Sequence, residues 1–130
     1  MFVSLQDELD FAMAYVDLLK ERFDTGLEVE VNIPERFKSR RIIPCGLQLL
    51  IENATKHNIV SPETPLMIKI YIEGEHIVVF NNLQLRQHAA DTSSGVGLSN
   101  IEGQYAAAFN RKIEVCRSSE FFKVEIPLIK

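Results

Sequence analysis

The 130 residues are enough for one domain with its own buried core. A net charge of −4 argues against nucleic-acid binding, because phosphate contacts need a basic surface. The sequence has no apolar run of the ~18–20 residues that span a bilayer, and its N-terminus lacks the pattern of a signal peptide. Cys45 and Cys116 are too few for a disulfide framework or a zinc site. The bulk properties predict a cytosolic globular domain with reduced thiols.

The first predicted element is a helix over residues 4–23. Apolar residues recur at three- or four-residue steps and form one stripe, made of Leu5, Leu9, Ala12, Val16, Leu19 and Phe23. Ser4 followed by Asp7 is an N-terminal capping pattern, and Gly26 marks the end of the helix. A second apolar strip consists of Phe11, Ala14 and Leu18. The helix is therefore expected to contact its own domain and something else.

The remaining elements alternate between strands and helices. Residues 27–33 have the two-residue period of a half-buried strand, and Pro34 ends it. A second helix is predicted over residues 44–57, with Pro44 in its first turn. The later predictions are a hairpin of residues 66–73 and 76–81 around Gly74, a polar loop at 83–94, a helix at 97–109, and a closing hairpin of 112–117 and 120–126. This order predicts one domain with helices layered on one face of a sheet.

The second predicted helix carries a group of polar residues that could bind a nucleotide. Asn53, Lys56 and His57 are spaced i, i+3 and i+4, which places an amide, an ammonium and an imidazole on one face. An amide oxygen can bind Mg²⁺, an ammonium can pair with phosphate, and Glu52 could orient or deprotonate an attacking group. The alternative is a solvated helix end with a Glu52–Lys56 ion pair worth ~0.3–0.5 kcal/mol.

Two glycines precede the third predicted helix. Gly95 and Gly97 would let the backbone approach a ligand closely, and the helix start behind them offers free N–H groups to an anion. The alternative is a loop that simply needs to turn. The basic stretch at residues 36–41 is expected to be a solvated or partner-facing surface rather than a ligand site.

Four segments resemble those of one protein family. Residues 49–58, with Glu-Asn-Ala-Thr-Lys-His inside them, resemble the N-box of histidine kinases, and residues 94–101 are similar to their second glycine box. Residues 5–23 resemble the helix that enters the domain in the autolysin-regulator type of sensor kinase, and residues 124–128 resemble its last strand. Two boxes at the family's spacing identify the chain as resembling the ATP-binding (HATPase, GHKL superfamily) domain of such a kinase.

The resemblance implies a fold and a domain division. The fold is α+β, a two-layer α/β sandwich of the Bergerat or GHKL ATPase type, with a mixed sheet, helices on one face and an additional N-terminal helix. Residues 1–26 would be the end of the segment that links to the phosphoacceptor region. Residues 27–130 would be the ATP-binding catalytic domain.

The resemblance also implies the roles of individual residues. By the family's pattern the N-box supplies Glu52 as the catalytic carboxylate, Asn53 as the Mg²⁺ ligand, and Lys56 and His57 as phosphate contacts. Gly95 and Gly97 would let the loop cover the triphosphate, Asn100 would add a polar contact, and residues 83–94 would form the ATP lid. ATP and Mg²⁺ are thus the expected cofactors.

The first glycine box departs from the family. There the family has Asp-x-Gly, whose carboxylate accepts a hydrogen bond from the adenine amino group, whereas this chain reads Asn81-Asn82-Leu83. Asn81 can still accept that bond, but without charge, and a neutral bond is worth roughly 0.5–1.5 kcal/mol against ~1.5–3 for a charged one. Weaker adenine binding is therefore expected.

The family's phosphoacceptor is a histidine followed by phenylalanine on a helical hairpin. None of His57, His76 and His88 stands in that context, so the hairpin is expected upstream of Met1. The expected function is transfer of the γ-phosphoryl of MgATP to a histidine that is not in this chain. The expected partners are the dimerisation and phosphoacceptor segment and a response regulator, in a homodimeric parent anchored in the inner membrane. Two alternatives stay open, a degenerate interaction module that no longer binds nucleotide and a stand-alone ATPase.

Overall fold

A computed structural model describes residues 2–85 and 113–130. This part of the chain contains two α-helices, α1 (Leu5–Phe23) and α2 (Gly46–His57). Its strands are β1 (Val3–Ser4), β2 (Leu27–Asn32), β3 (Arg41–Ile42), β4 (Leu66–Glu73), β5 (His76–Asn82), β6 (Glu114–Arg117) and β7 (Phe121–Pro127). The helix expected at 97–109, and all but the first residues of the loop expected at 83–94, lie outside the described residues.

Five of the strands form one mixed sheet in the order β2-β4-β5-β7-β6. β2 and β4 are parallel, because α2 lies between them in sequence and returns the chain to the same end of the sheet. The other neighbours are antiparallel, and β4 and β5 are joined by the predicted turn at Gly74, whose φ of +63° suits glycine. The predicted α+β class and mixed sheet are confirmed. β1 and β3, which the sequence did not predict, form a separate two-stranded sheet.

One face of the sheet forms the core with the two helices. Alternate residues of β4 and β5 point to this face and are buried in one cluster with residues of both helices. The sheet contributes Leu66, Ile68, Ile70, Ile77, Val79, Val124 and Ile126, and the helices contribute Leu5, Leu9, Ala12, Val16, Leu47, Leu50, Ile51 and Ala54. Helices and sheet thus make two layers, as expected.

Helix α1 begins where the sequence predicted. The Ser4 hydroxyl accepts a hydrogen bond from the Asp7 N–H at 3.1 Å, which confirms the cap. The predicted apolar stripe faces the core, whereas Phe11 and Leu18 of the second strip are 54% and 65% exposed. Since α1 shares the core of the sheet, the division of the chain after residue 26 stays a prediction.

Helix α2 begins two residues later than predicted. Cys45 adopts the left-handed conformation, with φ of 65°, and this turn separates Pro44 from the helix that starts at Gly46. The expectation that Pro44 lies in the first turn is therefore wrong. A left-handed non-glycine residue is unfavourable on its own, so contacts elsewhere must hold it.

The basic stretch at 36–41 is part of the scaffold. Arg40 lies over the Phe37 ring at 5.3 Å and pairs with Glu75 at 2.7 Å. The Arg41 guanidinium donates to the carbonyl of Lys130. These contacts agree with a surface role rather than a ligand site.

In the part of the chain that the structure describes, no helix is long and apolar enough to cross a membrane.

Gly26 connects α1 to β2 at a point of close packing. A Cβ at Gly26 would lie 2.8 Å from the Ser61 backbone, whereas a Cβ at Gly46 would meet nothing within 4 Å. We expect Gly26→Ala to lower the free energy of unfolding by about 1–3 kcal/mol, because backbone must move to admit the methyl group. Gly46→Ala is the control and should leave it unchanged or raise it by up to about 1 kcal/mol. Urea denaturation of the three proteins measures both effects, and equal stabilities would contradict the packing described.

Candidate functional site

The start of α2 is capped by a carboxylate from α1. The Glu8 oxygens accept hydrogen bonds from the N–H groups of Cys45 at 2.9 Å and Leu47 at 3.0 Å. The first N–H groups of a helix have no partner within the helix, and its N-terminus favours negative charge. Glu8 is only 3% exposed. It therefore ties α1 to the helix that carries the predicted N-box.

The sequence prediction missed Glu8, although a signal was present. Glu8 follows Leu5 by three residues and precedes Ala12 by four, so it lies within the apolar stripe that was predicted to be buried. A single acidic residue in such a stripe indicates a partner on another element. The partner itself, 37 residues later in the chain, has no local sequence signal.

Burial raises the pKa of Glu8 above its ordinary value. Desolvation is the largest cause, and the N–H groups of Cys45, Leu47 and Gln48 act in the opposite direction. The charged form is thus less favourable in the folded chain than in the unfolded chain. The ionised carboxylate therefore contributes less to stability than the protonated one.

The two helices also pack against each other in the core. Apolar residues of α1 and α2 belong to one buried cluster. Burial is the main cause that raises the pKa of Tyr15 on α1, and the negative charge of Glu52 on α2 adds to it.

The N-box residues occupy the second half of α2. Glu52 and Lys56 form the ion pair that the sequence allowed, with 3.8 Å between the charged atoms. Their side chains are 39% and 65% exposed, so the pair is weak and leaves both groups accessible to a ligand. Asn53 is partly exposed, as is His57, the last residue of the helix. The structure thus places the four predicted residues on one half-exposed helix end.

Asn58 ends α2 and joins it to the segment after β5. Its Nδ2 donates to the carbonyl of Ala54 at 2.9 Å, and its Oδ1 accepts from the N–H of Gln84 at 2.8 Å. The Gln84 side chain donates in turn to the carbonyls of Ile59 and Thr64. Asn58 is only 2% exposed, and its role was not predicted from the sequence. Its bonds hold the N-box end of α2 close to the end of β5.

Asn81 and Asn82, at the end of β5, point in opposite directions. Asn81 lies on the same face as Ile77 and Val79, the helix-covered face, and is only 4% exposed. Its Nδ2 donates to the carbonyl of Asn82 at 2.8 Å, which leaves the amide oxygen as the acceptor for a ligand. Asn82 lies on the other face and fixes the strand, accepting from the Met67 N–H at 2.7 Å. The predicted adenine acceptor is therefore on the side of the sheet that carries α2.

The remaining predicted site residues, Gly95, Gly97 and Asn100, lie outside the described residues. Among residues 2–85 and 113–130, no group of three His, Cys, Asp or Glu side chains forms a metal-binding cluster. The donor set at this end of the domain is instead a carboxylate, two amides, an ammonium and an imidazole. These groups suit a nucleotide phosphate with a cation held partly by that phosphate.

The fold is that of histidine kinase catalytic domains. The catalytic domain of histidine kinase ThkA superposes with a TM-score of 0.60 at 19% identity, covering 98% of this chain and 97% of that one. The cytoplasmic segment of histidine kinase QseC gives 0.63 at 10% identity, covering all of this chain and 78% of that one. The GHKL-type sandwich expected from the sequence is confirmed.

Relatives with assigned names indicate which histidine kinases the chain resembles. The chain is 29% identical over 112 residues to the sensor histidine kinase BtsS of Escherichia coli K12, covering 83% of this chain. It is 25% identical over 138 residues to the sensor protein LytS of Bacillus subtilis 168, covering 95% of this chain. No family model matches. The chain is thus similar to these sensor proteins, and it spans about a fifth of their length.

The pKa of Glu8 gives a testable pH dependence. Its raised value means that the folded state binds a proton more readily than the unfolded state, so stability falls as the pH rises from the ordinary glutamate pKa through the raised one. We expect the stability advantage of the wild type over Glu8→Gln to shrink as the pH rises above the ordinary glutamate pKa of about 4.3. Urea denaturation at a series of pH values measures it, with Glu21→Gln, an exposed position of α1, as the control. An advantage that grows with pH would contradict the assigned direction.

Proposed function

We propose that the chain is the ATP-binding catalytic domain of a two-component sensor kinase. It would transfer the γ-phosphoryl group of MgATP to a histidine outside this chain. The observation that carries the proposal is the placement of Glu52, Asn53 and Lys56 on one half-exposed end of α2, which Asn58 fixes beside the end of β5. The similarity to named sensor kinases favours this function over an interaction module without nucleotide.

The described residues suit a nucleotide in several ways. Asn53 offers an amide oxygen for Mg²⁺, which would neutralise charge on the phosphates. The Lys56 ammonium, 65% exposed, can exchange its weak contact with Glu52 for a phosphate oxygen. Glu52 would then be left to orient the incoming imidazole or accept its proton. His57 would add a contact to the phosphates, and Asn81 would accept from the adenine amino group.

Residues outside the described part complete the proposed site. Gly95, Gly97 and Asn100 are proposed to cover the triphosphate from the mouth of the following helix. The proposed partners are the parent's own dimerisation and phosphoacceptor segment and a response regulator. We further propose a homodimeric parent anchored in the membrane, with this domain on its cytoplasmic side.

Binding of MgATP by this chain is the first test. Ligand at about 100 times its Kd should stabilise the fold by ~2.7 kcal/mol, or roughly ten degrees in Tm for a domain of this size. We expect the shift with MgATP and MgADP but not MgGTP, and its loss in Asn53→Ala because the Mg²⁺ ligand is removed. Asn32→Ala, on the exposed edge strand β2, is the control. The absence of any shift at millimolar nucleotide would refute the proposal.

The departure in the first glycine box can be tested by restoring the acid. Asn81→Asp gives the adenine amino group a charged acceptor, and we expect the Kd for MgATP to fall about fivefold, the difference of about 1 kcal/mol between charged and neutral bonds. The variant also loses the amide that donates to the Asn82 carbonyl, so the free domain should be less stable. Asn82→Asp, on the opposite face, is the matched control and should not improve binding. Calorimetric titration measures the Kd of both variants. Equal affinity of Asn81→Asp and wild type would exclude Asn81 as the adenine contact.

A further inference from the structure

Glu8 is a buried ionisable group to which the proposed phosphoryl transfer gives no role. A buried carboxylate costs free energy, and well-packed apolar residues often serve stability as well or better. Its two hydrogen bonds to Cys45 and Leu47 are directional, so they fix a position that apolar packing would leave less defined. The feature to be explained is why the cap of α2 comes from another helix.

Helix α2 has no cap of its own. The residue at its N-cap position, Cys45, makes no side-chain capping bond and is held in the left-handed conformation. A serine, threonine or aspartate there would cap the helix locally, without reference to any other element. Because Glu8 supplies the acceptors instead, the start of α2 is located by α1.

We propose that Glu8 is a positioning residue that, through α2, sets the location of Glu52 and Asn53. This inference rests on the proposed function. Asn53 follows Leu47 by six residues of continuous helix, about 9 Å at 1.5 Å per residue, so a displacement of the helix start is carried to the N-box. The C-terminal end of α2 is held separately by Asn58, so displacement at the start would tilt α2 about Asn58 and move Asn53, which lies between the two points.

Core packing couples the two helices beyond the cap. Leu9 and Ala12 of α1 are buried in the same cluster as Leu47 and Leu50 of α2. A shift of α1 would therefore move the cap and the packing of α2 together.

The test compares substitutions of Glu8 with a matched control in this chain. Glu8→Gln keeps the size but offers one oxygen, so its NH₂ group would face one of the two backbone N–H donors. Glu8→Asp keeps both oxygens and the charge but is one methylene shorter. Glu21→Gln changes an exposed glutamate of the same helix. Circular dichroism sets a temperature at which each variant is folded, and MgATP titration calorimetry and amide NMR spectra are recorded there.

We expect Glu8→Gln to raise the Kd for MgATP roughly tenfold, the factor that corresponds to about 1.4 kcal/mol, while Glu21→Gln leaves it unchanged. A purely structural role would lower the Tm of Glu8→Gln and leave the Kd of the folded protein at the wild-type value, which would overturn the proposal. If Glu8→Gln does not fold, Glu8→Asp replaces it with the same criterion.

The NMR spectra separate this inference from the proposed function. They are recorded without nucleotide, so they report on Glu8 even if the wild type binds no MgATP. Movement of the Asn53 side-chain amide and Glu52 backbone signals in Glu8→Asp, with no change in Glu21→Gln, would support the positioning role. Shifts confined to residues 45–48 would overturn it.

Discussion

The structure depends on the position of α2, whose two ends are held by the side chains of Glu8 and Asn58. Glu8 accepts from the N–H groups at its start, and Asn58 bonds both the last turn of α2 and the backbone after β5. Between these two points the apolar residues of α2 pack on the sheet. The polar residues of the N-box can therefore stay half exposed, because the helix does not need them for its own placement.

Most elements could be predicted because their patterns are local. The stripe of α1, the capping pair of Ser4 and Asp7, and the hairpin around Gly74 are each set by residues close in sequence. The start of α2 could not be predicted in this way. Proline is favoured in a first helical turn, but here the left-handed turn at Cys45 prevails because the buried carboxylate of Glu8 holds its N–H group.

Part of the site could also be predicted from local patterns. The i, i+3, i+4 spacing placed Asn53, Lys56 and His57 at one helix end without knowledge of the rest of the fold. The roles of Glu8 and Asn58 could not be predicted because their partners lie 37 and 26 residues away in the chain. Glu8 lies within the predicted apolar stripe and Asn58 at the end of the predicted N-box, but neither pattern indicates which residue is the partner.

The alternation of side chains along β5 places the neighbouring residues Asn81 and Asn82 on opposite faces of the sheet. The sequence predicted Asn81 as the residue that replaces the missing carboxylate of the first glycine box. The alternation of β5 directs Asn81 to the helix-covered face and Asn82 to the other, where it bonds the backbone of β4. Substitution of aspartate by asparagine at position 81 preserves an acceptor at the place where the fold needs it and removes only its charge. Adenine recognition in this chain would therefore depend on burial and geometry more than on electrostatic attraction.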